Sequence, residues 1–208
     1  GVENASVVDT LQKHPFLQEK ALFTPLQRKR SDDEAVVLQT MKLMSDDIPF
    51  ESFVADKILA FATQMRGADV SNVTDALRDA LDYAYVSITE STQLLKKLHL
   101  PTLLIVAKKA IDENVDTDVF GAWVQDFNNA INGRTRDKAL VKTSYKSYTG
   151  AGSVKKDKVL GRQKAMINHF NEFIDRYVPQ IEEPKELAQA PEEVVAEEKE
   201  EVFAGIVG

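Results

Sequence analysis

Apolar residues recur every three to four positions through most of this chain, the period of helices that each bury one face. The first helix is expected from Ala5 to Lys13, stopping ahead of Pro15. Ser31-Asp-Asp-Glu34 has the form of a capping box and opens a helix with Val37, Leu38, Met41 and Met44 on one side. Phe50, Phe53, Val54, Ile58, Phe61 and Met65 form the next stripe, which Gly67 closes. Ser71 or Asn72 caps a long segment with Val73, Leu77, Leu81, Ala84 and Ile88 in register, breaking near 89–92. Pro101 suits the first turn of a helix, and Leu103 to Ala107 is apolar all round, which places that helix at the centre. Asp116 or Asp118 caps a helix carrying Phe120, Trp123, Val124, Phe127 and Ile131, closed by Gly133.

A basic helix is then expected over about Arg136 to Ser147, followed by a break at Thr149-Gly-Ala-Gly152. Ser153 is the expected cap of a last long helix with Val159, Met166, Ile167, Phe170, Phe173, Ile174 and Tyr177 on its core face. No alternating strand and no fixed repeat is legible. The pattern predicts an all-α fold, a bundle of about seven to nine helices. Residues 1–180 form the domain and 181–208, acidic and broken by Pro184 and Pro191, a disordered or loosely helical tail.

Composition narrows the class. Apolar residues make up 43% and charged ones 28%, an ordinary globular balance able to build a core over 208 residues. No run approaches a membrane span, so no membrane partner is expected. The absence of cysteine excludes disulfides, a thiol nucleophile and thiolate zinc, and fits a cytoplasmic protein. Gly1-Val-Glu3-Asn4 lacks the basic and apolar regions of a secretory leader, and without a leading Met the chain reads as an excised domain or a processed product.

Charge adds an asymmetry that the net −7 hides. Arg134 to Lys164 holds ten Lys or Arg and two Asp, a local +8, whereas Ile181 to Glu201 holds nine Glu and two Lys, a local −7. A basic stretch of this density is an electrostatic footprint for a polyanion. Within it, Gly150-Ala-Gly152-Ser153 turns into a helix start, where backbone N–H groups favour phosphate. Lys155, Lys158 and Arg162 recur at three and four residues and are expected to share a solvated face. The spacing lacks the Gly-Lys-Ser/Thr of a nucleotide-binding P-loop, so contact with a phosphate backbone is the expected chemistry. The candidate nucleic-acid-binding residues are Arg134, Arg136, Lys138, Lys142, Lys146, Gly152, Ser153, Lys155, Lys156, Lys158 and Arg162, with Tyr145 and Tyr148 available for stacking on bases. The same face could instead hold the acidic tail or a protein partner.

Other constellations carry less. Asp112-x-Asn114-x-Asp116-x-Asp118 imitates the start of a calcium loop, but Thr117 stands where the turn needs Gly and Trp123 where a bidentate Glu is needed. His14, His99 and His169 lack a histidine four residues away, so no zinc helix is expected, and surface or boundary positions are the expectation for all three. No metal, cofactor or catalytic residue is predicted.

Several stretches, in order, carry a family resemblance. They are His14-Pro-Phe-Leu17; Phe23 with Arg28-Lys-Arg30-Ser-Asp-Asp-Glu34; Leu100-Pro-Thr-Leu-Leu104; Val119-Phe-Gly-Ala-Trp123 with Phe127; and Tyr148 with Gly152-Ser-Val-Lys-Lys156, Val159 and Arg162. The series resembles the helical regions that follow the ParB-like nuclease-fold domain of GmrSD-type modification-dependent restriction proteins and related phage and bacterial proteins. The Asp-Gly-x-x-Arg type of signature belonging to the catalytic domain is absent from this sequence. The resemblance therefore implies a non-catalytic helical accessory domain, working on nucleic acid or supporting a ParB-like catalytic domain in cis. A phage or viral structural protein acting through protein–protein contacts is the alternative. Oligomeric state is not legible.

Overall fold

The computed structural model of the chain describes residues 2–46, 48–134 and 145–181. Its elements are α1 (Val2–Gln12), a π-helical turn (Phe16–Lys20), α2 (Pro25–Lys29), α3 (Asp32–Met44), α4 (Ala55–Gln64), α5 (Ser71–Ser87), a 3₁₀ turn (Gln93–Leu95), α6 (Leu100–Asp112), α7 (Thr117–Ile131) and α8 (Lys156–Ile181). The fold is an all-α bundle. Among the described residues the one extended pairing is an isolated bridge between Ser52 and Lys155. None of the described helices is long and apolar enough to cross a membrane. Of the expected tail, 181–208, all but Ile181, which ends α8, lies outside the described residues, as does most of the expected basic helix.

The centre is α6, as its apolar run predicts. It packs against α3, α5 and α8. Leu100, Leu103, Leu104, Val106, Ala107 and Ala110 are all buried, and Pro101 occupies its first turn. Its last turn faces water and carries the pairs Lys108–Asp112 and Lys109–Glu113. Gly133 ends α7 with φ +70°, and the Arg134 N–H reaches back to the Asn129 carbonyl at 2.9 Å.

Two local expectations are corrected. Ser31 makes no side-chain cap; it has φ +54°, because only Arg30 and Ser31 join the end of α2 to the start of α3. The capping box instead sits at Thr24 and Gln27, each side chain receiving the other's backbone N–H, with Pro25 opening α2. Phe50 and Phe53 precede α4 rather than join its stripe. They meet edge to face at 5.2 Å, and the Phe53 N–H donates to the Val154 carbonyl at 2.8 Å.

Helices α5 and α7 approach closely because residue 121 is glycine. A Cβ there would lie 2.4 Å from the carbonyl oxygen of Ser87. Helix propensity alone favours alanine over glycine by about 1 kcal/mol. Gly121→Ala is nevertheless expected to destabilise by about 1–3 kcal/mol, since a backbone oxygen cannot rotate away. Urea denaturation reads the sign directly; a variant as stable as the parent contradicts the close approach.

Candidate functional site

The basic region is built around the turn that precedes α6. Thr92 caps the 3₁₀ turn through its side chain, and the N–H groups of Lys96 and His99 close successive tight turns on Gln93 and Lys96. This geometry sends consecutive side chains in different directions. Lys96 is exposed. Lys97 turns to Asp32, with Nζ 2.6 Å from the carboxylate. His99 points inward, where its Nδ1 lies 2.6 Å from the Tyr145 hydroxyl.

Tyr145 is therefore core, 2% exposed and set edge-on to Phe127 at 5.1 Å. That corrects its expected role as a stacking platform for bases. His99 and His169 are corrected likewise, from surface or boundary positions to buried ones, whereas His14 stays near the surface against Asp82 at 3.0 Å. The Nδ1 of His169 accepts the Trp123 indole N–H at 3.1 Å, which fixes that nitrogen as the one without hydrogen. Burial, then the positive charges of Arg162 and Lys96, hold His99 down at a pKa of about 4. Burial pushes the Tyr145 phenol up, against the opposing effect of Arg162.

The glycine-rich turn is fastened from three sides. Phe53 takes the Val154 carbonyl, Gly152 turns at φ +72°, and the Lys155 N–H closes on the Gly152 carbonyl at 2.9 Å. Helix α8 starts at Lys156, so Ser153 is not its cap. Ser153 offers its carbonyl to Arg162 Nη1 at 2.8 Å, and the same nitrogen donates to the Tyr148 carbonyl at 2.7 Å. Tyr148 lies against α8 where Gly161 leaves room; a Cβ there would meet its ring at 2.4 Å.

The expected solvated face of Lys155, Lys158 and Arg162 is thus divided. Arg162 is 1% exposed. Burial pulls its pKa below the ordinary guanidinium value. Lys158 leans back, with Nζ 2.7 Å from the Ser147 carbonyl and 5.8 Å from the centre of the Tyr148 ring. Lys155 and Lys156 remain exposed, as do Arg134, Lys146 and Gly152, while Ser153 is half-buried. Arg136, Lys138 and Lys142 lie outside the described residues.

Two clefts flank this assembly. One, of about 320 Å³, is lined by Lys96 and Lys146 together with Gln93, His99, Asn132 and Tyr145. Gln93 donates to the Asn132 side-chain oxygen at 2.9 Å across it. The second, of about 220 Å³, is lined by Gln27, Gln39, Lys97, Ser153 and Arg162, with Phe53, Leu98 and Val154 as apolar walls. Leu98 lines both, so the two clefts adjoin. Lys96 is a functional candidate that the basic run does not reveal, because it lies far from 134–164 in sequence. The cue available is a Lys-Lys pair two residues short of a helix start.

No group of three or more potential metal ligands forms among the described residues. Comparison of the chain with protein-family models, with curated proteins and with solved structures found no match.

Proposed function

We propose that this chain is a non-catalytic helical module that holds a nucleic-acid backbone across the two adjoining clefts. One observation carries the reading. Lys96 and Lys146, far apart in sequence, line the same 320 Å³ cleft, and neither is ion-paired among the described residues. Arg134, Lys155 and Lys156 are further exposed cations without an ion pair among those residues. Solvated, unpaired cations are the groups that neutralise phosphates and release counterions, whereas cations already bonded to carboxylates contribute little. The resemblance to helical regions that follow a ParB-like domain supports the same reading and supplies a neighbour for the module.

The test is fluorescence anisotropy of labelled single and double strands titrated with the full chain across a salt series. Lys96→Gln, Lys146→Gln and Lys155→Gln combined should weaken binding and lower the log–log salt slope by roughly 0.7–0.9 for each phosphate no longer neutralised. Sequence preference should not change, because phosphate contacts carry no base information. Wild-type protein with no measurable affinity at low salt would sink the proposal and favour an assembly protein. Undiminished binding by the triple variant would move the binding surface, with Lys29 and Arg30 as the next exposed cations.

A further inference from the structure

Arg162 presents an electrostatic imbalance. A guanidinium stays charged throughout the range in which proteins fold. Taking it out of water is unfavourable unless an opposite charge or a full set of acceptors replaces the water. Here the side chain is 1% exposed, yet among the described residues it meets no carboxylate. Only Nη1 is used, on the carbonyls of Tyr148 and Ser153. Its Nε is buried without a partner, and Nη2 donates to no described residue.

The cavity that Arg162 lines has further donors with spare capacity among its lining residues. Gln27 uses its side-chain oxygen to accept the Thr24 N–H, which leaves its NH₂ group unpartnered among the described residues. Gln39 and the Ser153 hydroxyl likewise make no hydrogen bond to described residues. Lys97 holds Asp32 with one of its three hydrogens. These residues come from α2, α3, the turn before α6, the glycine-rich loop and α8, so five separate segments contribute to the lining. A planar carboxylate presents two oxygens in one plane; a tetrahedral phosphate presents oxygens in several directions. The volume of about 220 Å³ compares with about 30 Å³ for one water in the liquid, leaving space for a phosphate and part of the group it esterifies.

We propose that the 220 Å³ cleft over Arg162 is a binding site for a phosphate group, with Arg162 as its counter-charge and Gln27, Gln39, Lys97 and Ser153 as the further donors. The phosphate comes either from solution or from the end of a nucleic-acid strand. The site stands independently of the surface reading, since it needs neither Lys96 nor Lys146.

Calorimetric titration of the full chain with inorganic phosphate, a 5′-phosphorylated dinucleotide and its 5′-hydroxyl counterpart tests the assignment, with acetate at matched ionic strength as control. Saturable binding of phosphate but not acetate is expected. Tighter binding of the phosphorylated dinucleotide than of free phosphate identifies a strand end as the source, and equal binding identifies free phosphate. Arg162→Gln should weaken binding at least about tenfold, the effect of losing one charge-assisted bond. Because that variant also loses the clamp on the glycine-rich loop, Gln39→Glu provides the second test. Its carboxylate supplies the missing negative charge, so phosphate binding should fall by a similar factor while the unliganded melting temperature is kept or raised. Absence of phosphate binding by wild type, equal binding of acetate, or undiminished phosphate binding by Gln39→Glu each overturns the site. Duplex binding without phosphate binding would remove this site and leave the surface reading intact. Phosphate binding without strand binding does the reverse.

Discussion

Trp123→Ala should destabilise the fold by about 3–5 kcal/mol, a large part of what a domain of this size holds in reserve. The indole is fully buried on α7. It sits 5.2 Å from both Phe120 and Phe170 and 5.7 Å from Phe127, so it joins α7 to α8 through one aromatic cluster. Alanine removes the ring and leaves a cavity that neighbouring aromatic rings can close only in part. It also strips the donor from His169 Nδ1, and a buried acceptor left alone costs about 1–3 kcal/mol within that total. Trp123→Phe separates the two contributions. It retains most of the packing but loses the N–H, so its cost should be about 1–3 kcal/mol. Chemical denaturation monitored by far-UV circular dichroism measures both variants. Equal losses in the two would mean that the hydrogen bond, not the packing, dominates; a loss below about 1 kcal/mol in Trp123→Ala would contradict the cluster's place in the core.

Much of this core is visible in the sequence, and the reasons are local. Pro101, Gly133 and the spacing of Phe120, Trp123 and Phe127 act within one or two turns of helix, so the period and its punctuation are enough. What escapes depends on residues distant in the chain. Phe50 and Phe53 have the right spacing for α4, but Phe53 is claimed by Val154, which no local pattern announces. Lys20 is another case: it donates to the carbonyls of Tyr85 and Ile88 at the end of α5. Arg162 is misleading for a different reason. Its basic neighbours suggest a solvated face, yet Val159 three residues before and Met166 four residues after are both buried, which puts Arg162 on the core side of α8. His169, three residues beyond Met166 and beside the buried Phe170, is legible by the same spacing. Helical phase outranks residue type when a long polar side chain lies between two apolar ones. The Thr24-Pro-Leu-Gln27 box is also present in the sequence, overshadowed by the more acidic Ser31 segment.

Acidification should expose the cost of burying His99. In the unfolded chain this imidazole titrates near its ordinary value of 6.5; in the fold it is held at about 4, first by burial and then by the charges of Arg162 and Lys96. The folded pKa is the lower of the two, so between about pH 4 and 6.5 the unfolded state binds a proton that the folded state refuses. Stability from this group is complete above pH 6.5 and is lost progressively as the pH falls toward 4. The gap corresponds to about 3 kcal/mol. Other groups titrate across the same window, so the diagnostic quantity is a difference between two proteins. Urea denaturation of wild type and His99→Gln at pH 7.5 and at pH 4.5 isolates it. At pH 7.5 the variant should be the less stable, since it disturbs the 2.6 Å contact with Tyr145 and the packing beneath the 320 Å³ cleft. At pH 4.5 that deficit should shrink by about 2–3 kcal/mol or reverse, because glutamine has no proton to gain. An ionic phosphate bound over Arg162 would offset one of the two charges that depress His99. Phosphate should then raise the pH resistance of wild type more than that of His99→Gln. A stability deficit that is the same at both pH values would show that His99 is not held neutral by its surroundings.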